Sequence, residues 1–515
     1  MMYCFRRLHL GRHWAIAGVC IALALAMAGS AYAELQSVEV GGELRIRGRW
    51  YHNVWDARTA RIPNASLRGR PLGPFGTTSI FKWDDDGTDW TRYETSVLLN
   101  VKADFTDDVS AFIEFYDFHV WGEDFRSNYV TGADFRAASG DDIEVNQAYI
   151  EMRDVYGYPV RVRVGRQNLK FGKGWLVTDM LTPSQYVSHD AIRLTYAQDD
   201  VTVDVFASKL GDAIALDDDI DFYGIYGTYT GIESLTLAAY WFFLRDGTGF
   251  DDTPGATNVQ RFVQDLLDVN NYGHTNLHTV GLRANGKAGN FDYDLELAYQ
   301  FGDADVHGAG FVPVGGTFGD DDAEYDNWGG DLVVGYTFAD APWTPRVFLQ
   351  GVYFEGEDNR DRSFLEWLNP LYKPEASVSF NRLFSDKNYV PVINDNGWMS
   401  NFYMLLGGVT VKPTEKVTVY SALSRSWIDE PFDSPVLPGL PWWTKENSDD
   451  LGWEWATYVR YTYSKDLWFL LYYNHLFADD GLTDGGYSQF NGTQFHGGSS
   501  DDDADYVFWM AVLKF

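Results

Sequence analysis

The connections between the extended segments of this chain alternate strictly between short and long. Eight short turns lie near residues 106–108, 156–158, 197–200, 231–233, 288–290, 339–344, 414–416 and 465–466. Nine long, polar and mostly acidic connections lie near residues 56–89, 123–142, 170–189, 211–219, 246–276, 303–327, 356–397, 431–451 and 480–503. Tight turns on one side and long loops on the other are typical of a transmembrane β-barrel. The rhythm predicts an all-β fold, a transmembrane antiparallel β-barrel of about eighteen strands.

The strands predicted between these connections have one apolar and one polar face, because successive side chains of a strand point to opposite sides. Val97 and Leu99, for example, alternate with Ser96 and Asn100. A soluble sandwich could show the same alternation. It would not explain the long and short rhythm, nor strands that all run close to ten residues. We therefore expect the apolar face to meet lipid and the polar face to line an aqueous interior.

The first residues predict the compartment. Arg6, Arg7 and Arg12 precede an apolar run from about residue 14 to residue 29, and Ala31–Ala33 offers a small-residue cleavage site. This order is typical of a secretory signal peptide, which we place at residues 1–33. The remainder, 34–515, is predicted to form a single outer-membrane barrel domain. No later run of eighteen apolar residues predicts a spanning helix.

Composition supports the same expectation. The chain carries a formal charge of −34, and removal of the leader, which holds three Arg and no acid, leaves it more acidic still. Such a surface makes nucleic acid an improbable partner. Both cysteines, Cys4 and Cys20, leave with the leader, so no disulfide or thiol site is expected. Aromatic residues reach 17%, and Trp and Tyr favour the boundary between membrane and water.

The position of the arginines follows from the apolar face. An Arg that faced lipid at mid-membrane would cost roughly 2–4 kcal/mol, so the arginines of two-faced strands should face the interior. The predicted pore-lining basic residues are Arg45, Arg47, Arg49, Arg161, Arg163, Arg193, Arg283 and Arg460. The predicted pore-lining acidic residues are Glu94, Glu151, Asp292, Asp294 and Glu296. Arg425 is also expected near the pore.

Two interpretations of these charges stay open. Charge in a narrow aqueous pore focuses the field and selects ions. Alternatively, the arginines and carboxylates could simply brace the barrel wall by pairing with one another. The two are compatible, since a paired Arg still projects potential.

The long loops carry aspartate clusters at Asp84–Asp86, Asp217–Asp219, Asp320–Asp322 and Asp501–Asp503. Clustered carboxylates could hold Ca²⁺, but none has the EF-hand spacing. Solvated, mutually repelling loops are the favoured interpretation, and no cofactor is expected.

One loop should contain a helix. Apolar residues from Val259 to Leu267 follow helical spacing, and Thr257 with Gln260 forms a capping box. Its apolar face is expected either to cover the pore mouth or to pack on neighbouring loops. Residues 362–370 are a weaker second candidate.

Catalytic motifs are lacking. The sequence has no HExxH and no G-x-S-x-G, and the glycines near residue 172 do not form a phosphate loop. We therefore expect a protein that is not an enzyme.

Residues 159–175, "PVRVRVGRQNLKFGKGW", together with the segment that follows, resemble the alginate-export family of outer-membrane porins. The matching positions are Gly165, Arg166, Gln167, Gly172 and Asp190, and residues 145–152 look like the family's preceding strand. The resemblance implies an arginine-lined channel that passes an anionic exopolysaccharide. Arg166 and Gln167, at a strand end, are expected to fix the following pore loop by hydrogen bonding.

The sequence thus predicts an outer-membrane channel, in contact with outer-membrane lipid, that passes an anionic saccharide or exopolysaccharide of the alginate type. The alternatives are a general or solute-specific uptake porin, a barrel sheath around a periplasmic partner protein, and an outer-membrane hydrolase.

Overall fold

The computed structural model describes residues 34–55, 88–106, 108–121, 143–182, 185–211, 219–249, 257–308, 319–357, 363–369, 378–389, 391–392, 400–431, 434–435, 444–445, 448–483 and 503–515. The predicted leader, residues 1–33, lies outside them.

Eighteen strands form one sheet. They are β1 (Leu35–Trp55), β2 (Thr88–Phe105), β3 (Val109–Val120), β4 (Glu144–Met152), β5 (Val160–Gln167), β6 (His189–Gln198), β7 (Val201–Gly211), β8 (Ile220–Ile232), β9 (Leu235–Asp246), β10 (Thr275–Ala288), β11 (Phe291–Asp303), β12 (Glu324–Thr337), β13 (Arg346–Phe354), β14 (Phe402–Thr414), β15 (Val417–Ile428), β16 (Asp450–Thr462), β17 (Leu467–Ala478) and β18 (Ala504–Lys514). The predicted strand number is confirmed.

Each strand pairs antiparallel with its neighbour in the sequence, and the sheet closes because β1 also pairs with β18. The closing register runs from Glu43 opposite Lys514 to His52 opposite Asp505. The short connections all lie at one end of the barrel and the long ones at the other, as the rhythm predicts. The predicted barrel is therefore confirmed. Among the described residues, no helix is long and apolar enough to cross a membrane.

Burial along the strands alternates as two-faced strands require. On β6, Ile192 and Leu194 are 48% and 43% exposed, whereas the side chain of Arg193 is only 14% exposed. The exposed apolar side chains point outward, and the polar side chains point to the barrel interior. A strand in a bilayer must turn its apolar face to the hydrocarbon, and the strands of this barrel do so.

The hydrophobic core of the described residues lies inside the barrel. It combines interior side chains of β7, β8 and β9, among them Phe206, Phe222 and Phe242, with residues of two long loops, such as Trp175 and Phe380. The core therefore forms where loop segments fold inward against the wall.

The described parts of the long loops contain four short helices: α1 (Asn258–Leu267), α2 (Asp305–Gly308), α3 (Phe364–Leu368) and α4 (Asp480–Thr483). The capping box predicted for α1 is confirmed, since the Thr257 hydroxyl accepts from the Gln260 N–H and the Thr257 N–H donates to the Gln260 side chain.

The packing of α1 differs from the expectation. Val259, Phe262 and Leu266 are 74%, 68% and 73% exposed, while Gln264 is buried. Within the described part of the chain, the helix thus rests on its polar side, and these three side chains cover neither the pore mouth nor a neighbouring loop. The capping box stabilises the helix locally, but the surrounding structure determines which face of the helix is buried.

Replacing Leu194 with Arg should destabilise the folded barrel in lipid vesicles by roughly 2–4 kcal/mol, because the new guanidinium would face the hydrocarbon. Equilibrium unfolding by urea in vesicles measures this. The matched control Asp200→Arg places the same side chain in a short turn and should change stability by less than about 0.5 kcal/mol. Equal effects of the two variants would contradict the assigned faces.

Candidate functional site: a loop across the charged interior

The loop after β5 crosses the barrel interior. We call residues 168–188 the crossing loop. At one end, the Lys173 amine lies 2.8 Å from an Asp331 carboxylate oxygen on β12 and 3.6 Å from one of Asp294 on β11. At the other end, Met180 sulfur lies 3.8 Å from the Arg45 guanidinium on β1. β1 and β11–β12 lie about half the circumference apart in an eighteen-stranded barrel, so the loop spans the interior.

The far end of the crossing loop makes further contacts with the β1–β3 wall. The Tyr186 hydroxyl donates to the Glu43 carboxylate over 3.3 Å, and its ring meets the Tyr116 ring edge-on at 5.3 Å. Residues Met180–Thr182 and Gln185–Tyr186 pair as a small two-stranded ribbon there.

The residues that resemble the family motif, from Gly165 to Gly172, fix the start of the crossing loop. Gly165 has a φ of 125°, and a Cβ there would lie 2.3 Å from the Ala148 carbonyl oxygen, so glycine alone fits. Gln167 is fully buried and donates to the Ala191 carbonyl over 2.9 Å. Gly172 has a φ of 54°, which turns the chain beside Arg283 and Tyr226 on the opposite wall.

Arg166 lies on the outward face of β5, opposite Asp190, and not in the interior. Its Nε donates to the Ser188 hydroxyl over 3.0 Å, at the end of the crossing loop. Arg166 and Gln167 therefore both bond where the loop leaves and rejoins the wall, as expected for residues that fix it.

A second loop segment, residues 378–389, supports the crossing loop from the β11–β13 side. The Phe384 N–H donates to the Leu176 carbonyl over 2.8 Å, and the Phe380 ring packs against Trp175. The Gln300 amide of β11 donates to the Asn381 carbonyl over 2.7 Å. Tyr389 hydrogen-bonds the same Asp331 that pairs with Lys173. The wall thus holds both segments.

The β1–β2 wall gathers arginines around one carboxylate. Glu94 is 1% exposed, and its oxygens lie 2.7 Å from Arg47, 2.9 Å from Arg49 and 2.9 Å from Arg92. Arg45 pairs with Glu43 at 2.5 Å on the same wall. Burial of charge is costly unless it is paired, so Glu94 is required to hold these guanidiniums together.

The β4–β7 wall forms a second set. Glu151 binds Arg163 at 2.5 Å and Arg153 at 2.8 Å, with Arg161 at 3.9 Å. Arg193, directly opposite Arg163, binds Asp204 at 2.8 Å. The side chain of Arg161 is 39% exposed, the most accessible of those on β5 and β6 that the sequence predicted to line the pore.

The β10–β13 wall is richer in acids. Arg283 binds Asp294 at 2.6 Å and lies 3.7 Å from Glu296. Asp292 binds Arg346 at 2.5 Å. Lys173 of the crossing loop adds a cation here. On β16, the Arg460 guanidinium lies 4.4 Å from the Trp468 ring centre and forms no salt bridge among the described residues.

The structure therefore brings the predicted interior residues together in three sets, with Arg460 apart, and leaves one residue expected near the pore, Arg425, outside. Arg425 is on the outward face of β15, bonded to Asp450 and flanked by Trp427 and Trp453. The expectation that it lies near the pore is wrong, because the interior positions of β15 are the buried Ala422, Ser424 and Ser426.

Sequence reasoning missed Lys173, Tyr186 and Asp331. Asp331 follows the alternation of β12, so its face could have been read from the pattern. Lys173 and Tyr186 lie in an irregular loop, and nothing local in the sequence says which wall each one reaches.

The aspartate-rich loops do not supply a metal site in the part of the chain that the structure describes, where no group of three or more potential ligands comes together. Asp84–Asp86, Asp217, Asp218, Asp501 and Asp502 lie outside the described residues.

Electrostatics in one of these loops is unusual. Burial, and then repulsion from Asp303, Asp322 and Asp321, raises the pKa of Asp305 on α2 to about 7. Burial lowers the pKa of the neighbouring His307 to about 4. Near neutral pH, His307 is therefore neutral, whereas Asp305 is close to half protonated.

Chemically, the interior offers positioned guanidiniums and carboxylates along a wall, with a loop between them. Fixed charge on the interior wall of a closed barrel is typical of a channel.

The comparisons with solved structures show the fold. Pseudomonas aeruginosa OccK8 (OprE) superposes with a TM-score of 0.50 at 11% identity, covering 94% of this chain and 99% of that chain. Acinetobacter baumannii OccAB1 gives 0.49 at 12% identity, covering 95% and 99%. Pseudomonas aeruginosa OprD, an outer membrane protein, gives 0.49 at 10%, covering 94% and 96%. At such identity the likeness shows the fold alone. The chain therefore shares the closed β-barrel fold of these proteins.

The family follows from the sequence itself. The family model described as "Alginate export" matches residues 83–491, most of the chain. This protein belongs to the alginate-export family, and this match together with its closed barrel makes it a porin of the bacterial outer membrane. A comparison with curated proteins finds no significant match.

Replacing Glu94 with Gln should destabilise the barrel by about 3–5 kcal/mol, because the buried Arg47 and Arg49 and the partly exposed Arg92 lose the carboxylate that they share. Urea unfolding in vesicles measures the loss. Asp104→Asn is the matched control, since Asp104 pairs with Lys102 where the two side chains keep 28% and 33% of their surface exposed, and it should have a much smaller effect. An unchanged unfolding midpoint for Glu94→Gln would contradict the shared-carboxylate assignment.

The raised pKa of Asp305 makes α2 pH-sensitive. A carboxyl group with a higher pKa in the folded state gives stability that is full below its unfolded value, near pH 4, and is lost as pH rises through about 7. Hydrogen exchange in residues 304–308 and 320–323, corrected for intrinsic rates, should therefore be several-fold faster at pH 8 than at pH 5. Asp305→Asn should remove most of that difference.

The control Glu233→Gln changes an acid at the opposite end of the barrel and should keep the wild-type pH response. If Asp305→Asn also kept it, the assignment of this sensitivity to Asp305 would be wrong.

Proposed function

We propose that this porin passes anionic saccharides, of the uronate type found in alginate, along its arginine-bearing interior wall. The observation that carries the proposal is the β4–β7 set, where the salt bridges of Arg153, Arg161, Arg163 and Arg193 among the described residues are made with two carboxylates, Glu151 and Asp204. This excess of positive charge lies inside a chain whose formal charge is −34. It is therefore a local reversal of the protein's charge.

The geometry suits weak, repeated binding. Each arginine of the set is ordered by a carboxylate, yet Arg161 keeps a large part of its side chain exposed. Ordered guanidiniums can exchange a passing carboxylate from one to the next, and conduction requires such sites to bind enough for entry but not too tightly for exit. A low-dielectric wall strengthens their attraction for anions.

The family match supports the same substrate class, because "Alginate export" describes the family to which the chain belongs. The residues that resemble the family, Gly165, Arg166 and Gln167, lie at the end of β5, directly before the crossing loop. In this proposal the loop narrows the passage beside the arginine sets and brings the solute close to them.

A second candidate is a porin for small solutes, in either direction of transport. The crossing loop favours it, since a segment that contacts both walls leaves less room for a polymer than an open barrel would. A sheath for a partner protein and an outer-membrane hydrolase have no comparable observation among the described residues in their favour.

The test is conductance in planar bilayers with an asymmetric salt gradient. Replacing both Arg161 and Arg163 with Gln should shift the reversal potential and lower the anion-over-cation permeability ratio by on the order of twofold or more. The control Lys209→Gln removes a cation from the outward face of β7, away from the crossing loop, and should leave selectivity unchanged. An unchanged reversal potential in the double variant would refute the proposal.

Oligouronates of increasing length, added to the same bilayers, separate the two candidates. Length-dependent block that weakens in the double variant supports saccharide passage. Block that is absent for every length, with anion preference retained, supports the small-solute porin.

A further inference from the structure

Charged side chains form one continuous row on the outside of the barrel. Arg166 on β5, Asp190 on β6, Lys209 on β7, Asp221 on β8 and Arg245 on β9 are successive cross-strand partners. Each shares the outward face of its strand with exposed apolar residues such as Val164, Ile192 and Val205, which point to lipid. The row therefore lies on the membrane-facing surface, at the end of the barrel that carries the long loops.

An aromatic belt lies just below this row. Two residues along β8 and β9 come Tyr223 and Phe243, stacked at 6.0 Å, and the belt continues through His278 and Phe301 on the neighbouring strands. Aromatic side chains on the outside of a barrel mark the boundary between hydrocarbon and headgroups. The charged row thus lies at the level of the lipid headgroups.

The two arginines at the ends of the row are only loosely paired. Arg166 lies 3.8 Å from Asp190, and Arg245 lies 3.9 Å from Asp221, with side chains that are 46% and 35% exposed. Lys209 in the middle is held by Asp219 and Asp221, both at 2.7 Å. A guanidinium has five N–H donors, and a single long carboxylate contact does not saturate them.

Cations are concentrated in this row. Among the described residues at this end of the barrel, lysine or arginine occupies an outward position only here and at Arg425 on β15. The remaining outward charges are mostly acids, such as Asp303, Asp326 and Asp505. In so acidic a protein, three cations on alternate strands of one sector form a distinct surface.

We propose that this row binds the phosphate groups of a phosphorylated glycolipid in the surrounding outer leaflet. Guanidinium matches phosphate in a two-pronged arrangement. Cations on alternate strands are roughly 10 Å apart, the spacing of two strand separations, so one lipid with two phosphates can meet two of them. The intervening carboxylates keep the basic side chains extended at headgroup level. The inference is independent of which solute passes through the interior.

The experiment uses the full chain, purified and folded in detergent, titrated with diphosphorylated lipid A and followed by native mass spectrometry. A triple variant, Arg166→Gln with Lys209→Gln and Arg245→Gln, should bind at least tenfold more weakly than the wild type. Asp190→Asn should bind several-fold more tightly, because it removes a carboxylate that competes with phosphate for Arg166. The control Arg425→Gln, which alters the outward cation of β15, should bind like the wild type.

Two further probes identify the source of the phosphate. Dephosphorylated lipid A should bind at least tenfold more weakly than the diphosphorylated form, and inorganic phosphate at the same concentration should not displace it. Equal binding of the dephosphorylated lipid, or displacement by inorganic phosphate, would overturn the proposal, as would wild-type affinity in the triple variant. Folding of the triple variant is checked by heat-modifiability on gels. If this variant does not fold, the single variants Arg166→Gln and Arg245→Gln should each weaken binding about threefold. Unchanged affinity in both single variants would overturn the proposal.

Discussion

A bilayer supplies no hydrogen-bond partners to peptide groups, and the rest of this structure depends on that constraint. Eighteen strands satisfy it only by closing, which β1 does by pairing with β18 along ten positions from Glu43 to His52. Closure leaves each side chain two options, lipid or interior. Leu194 faces the lipid and Arg193 faces the interior. The same alternation around the wall places almost all charged side chains of the spanning segments inside the barrel.

Charged side chains inside the barrel must pair with opposite charges, and here one carboxylate pairs with several guanidiniums. Glu94 and Glu151 each serve three guanidiniums. Such sharing braces the wall and leaves these two sets with more guanidiniums than carboxylates among the described residues. On the β10–β13 wall carboxylates are in excess, and Lys173 of the crossing loop adds a cation there. At the β1–β3 wall the crossing loop makes its contacts with two neutral side chains, Met180 and Tyr186.

Alternation predicted the faces well where the strand has a clean apolar side, as for Arg161 and Arg163. It failed for Arg425, whose strand has Leu423 and Trp427 on one face and Ala422 on the other, so apolar residues mark both. Alternation did not indicate the surroundings of Arg166, because this residue lies at the end of β5. At that level a charged side chain can point outward without contact with the hydrocarbon. The capping box of α1 is local and was predictable, whereas the exposure of Phe262 depends on what surrounds the helix.

The sequence by itself determined the compartment that we expect, the strand number, the phase of most strands and the barrel class. These follow from short-range signals: a period of two, the length of a connection, and the cost of charge in lipid. Only the tertiary structure decided which charges meet and where the crossing loop runs. Lys173 and Asp331 are 158 positions apart in the chain, and Arg45 and Met180 are 135 apart. Contacts at such separation are set by the closed wall that brings distant strands face to face, and no local pattern encodes them.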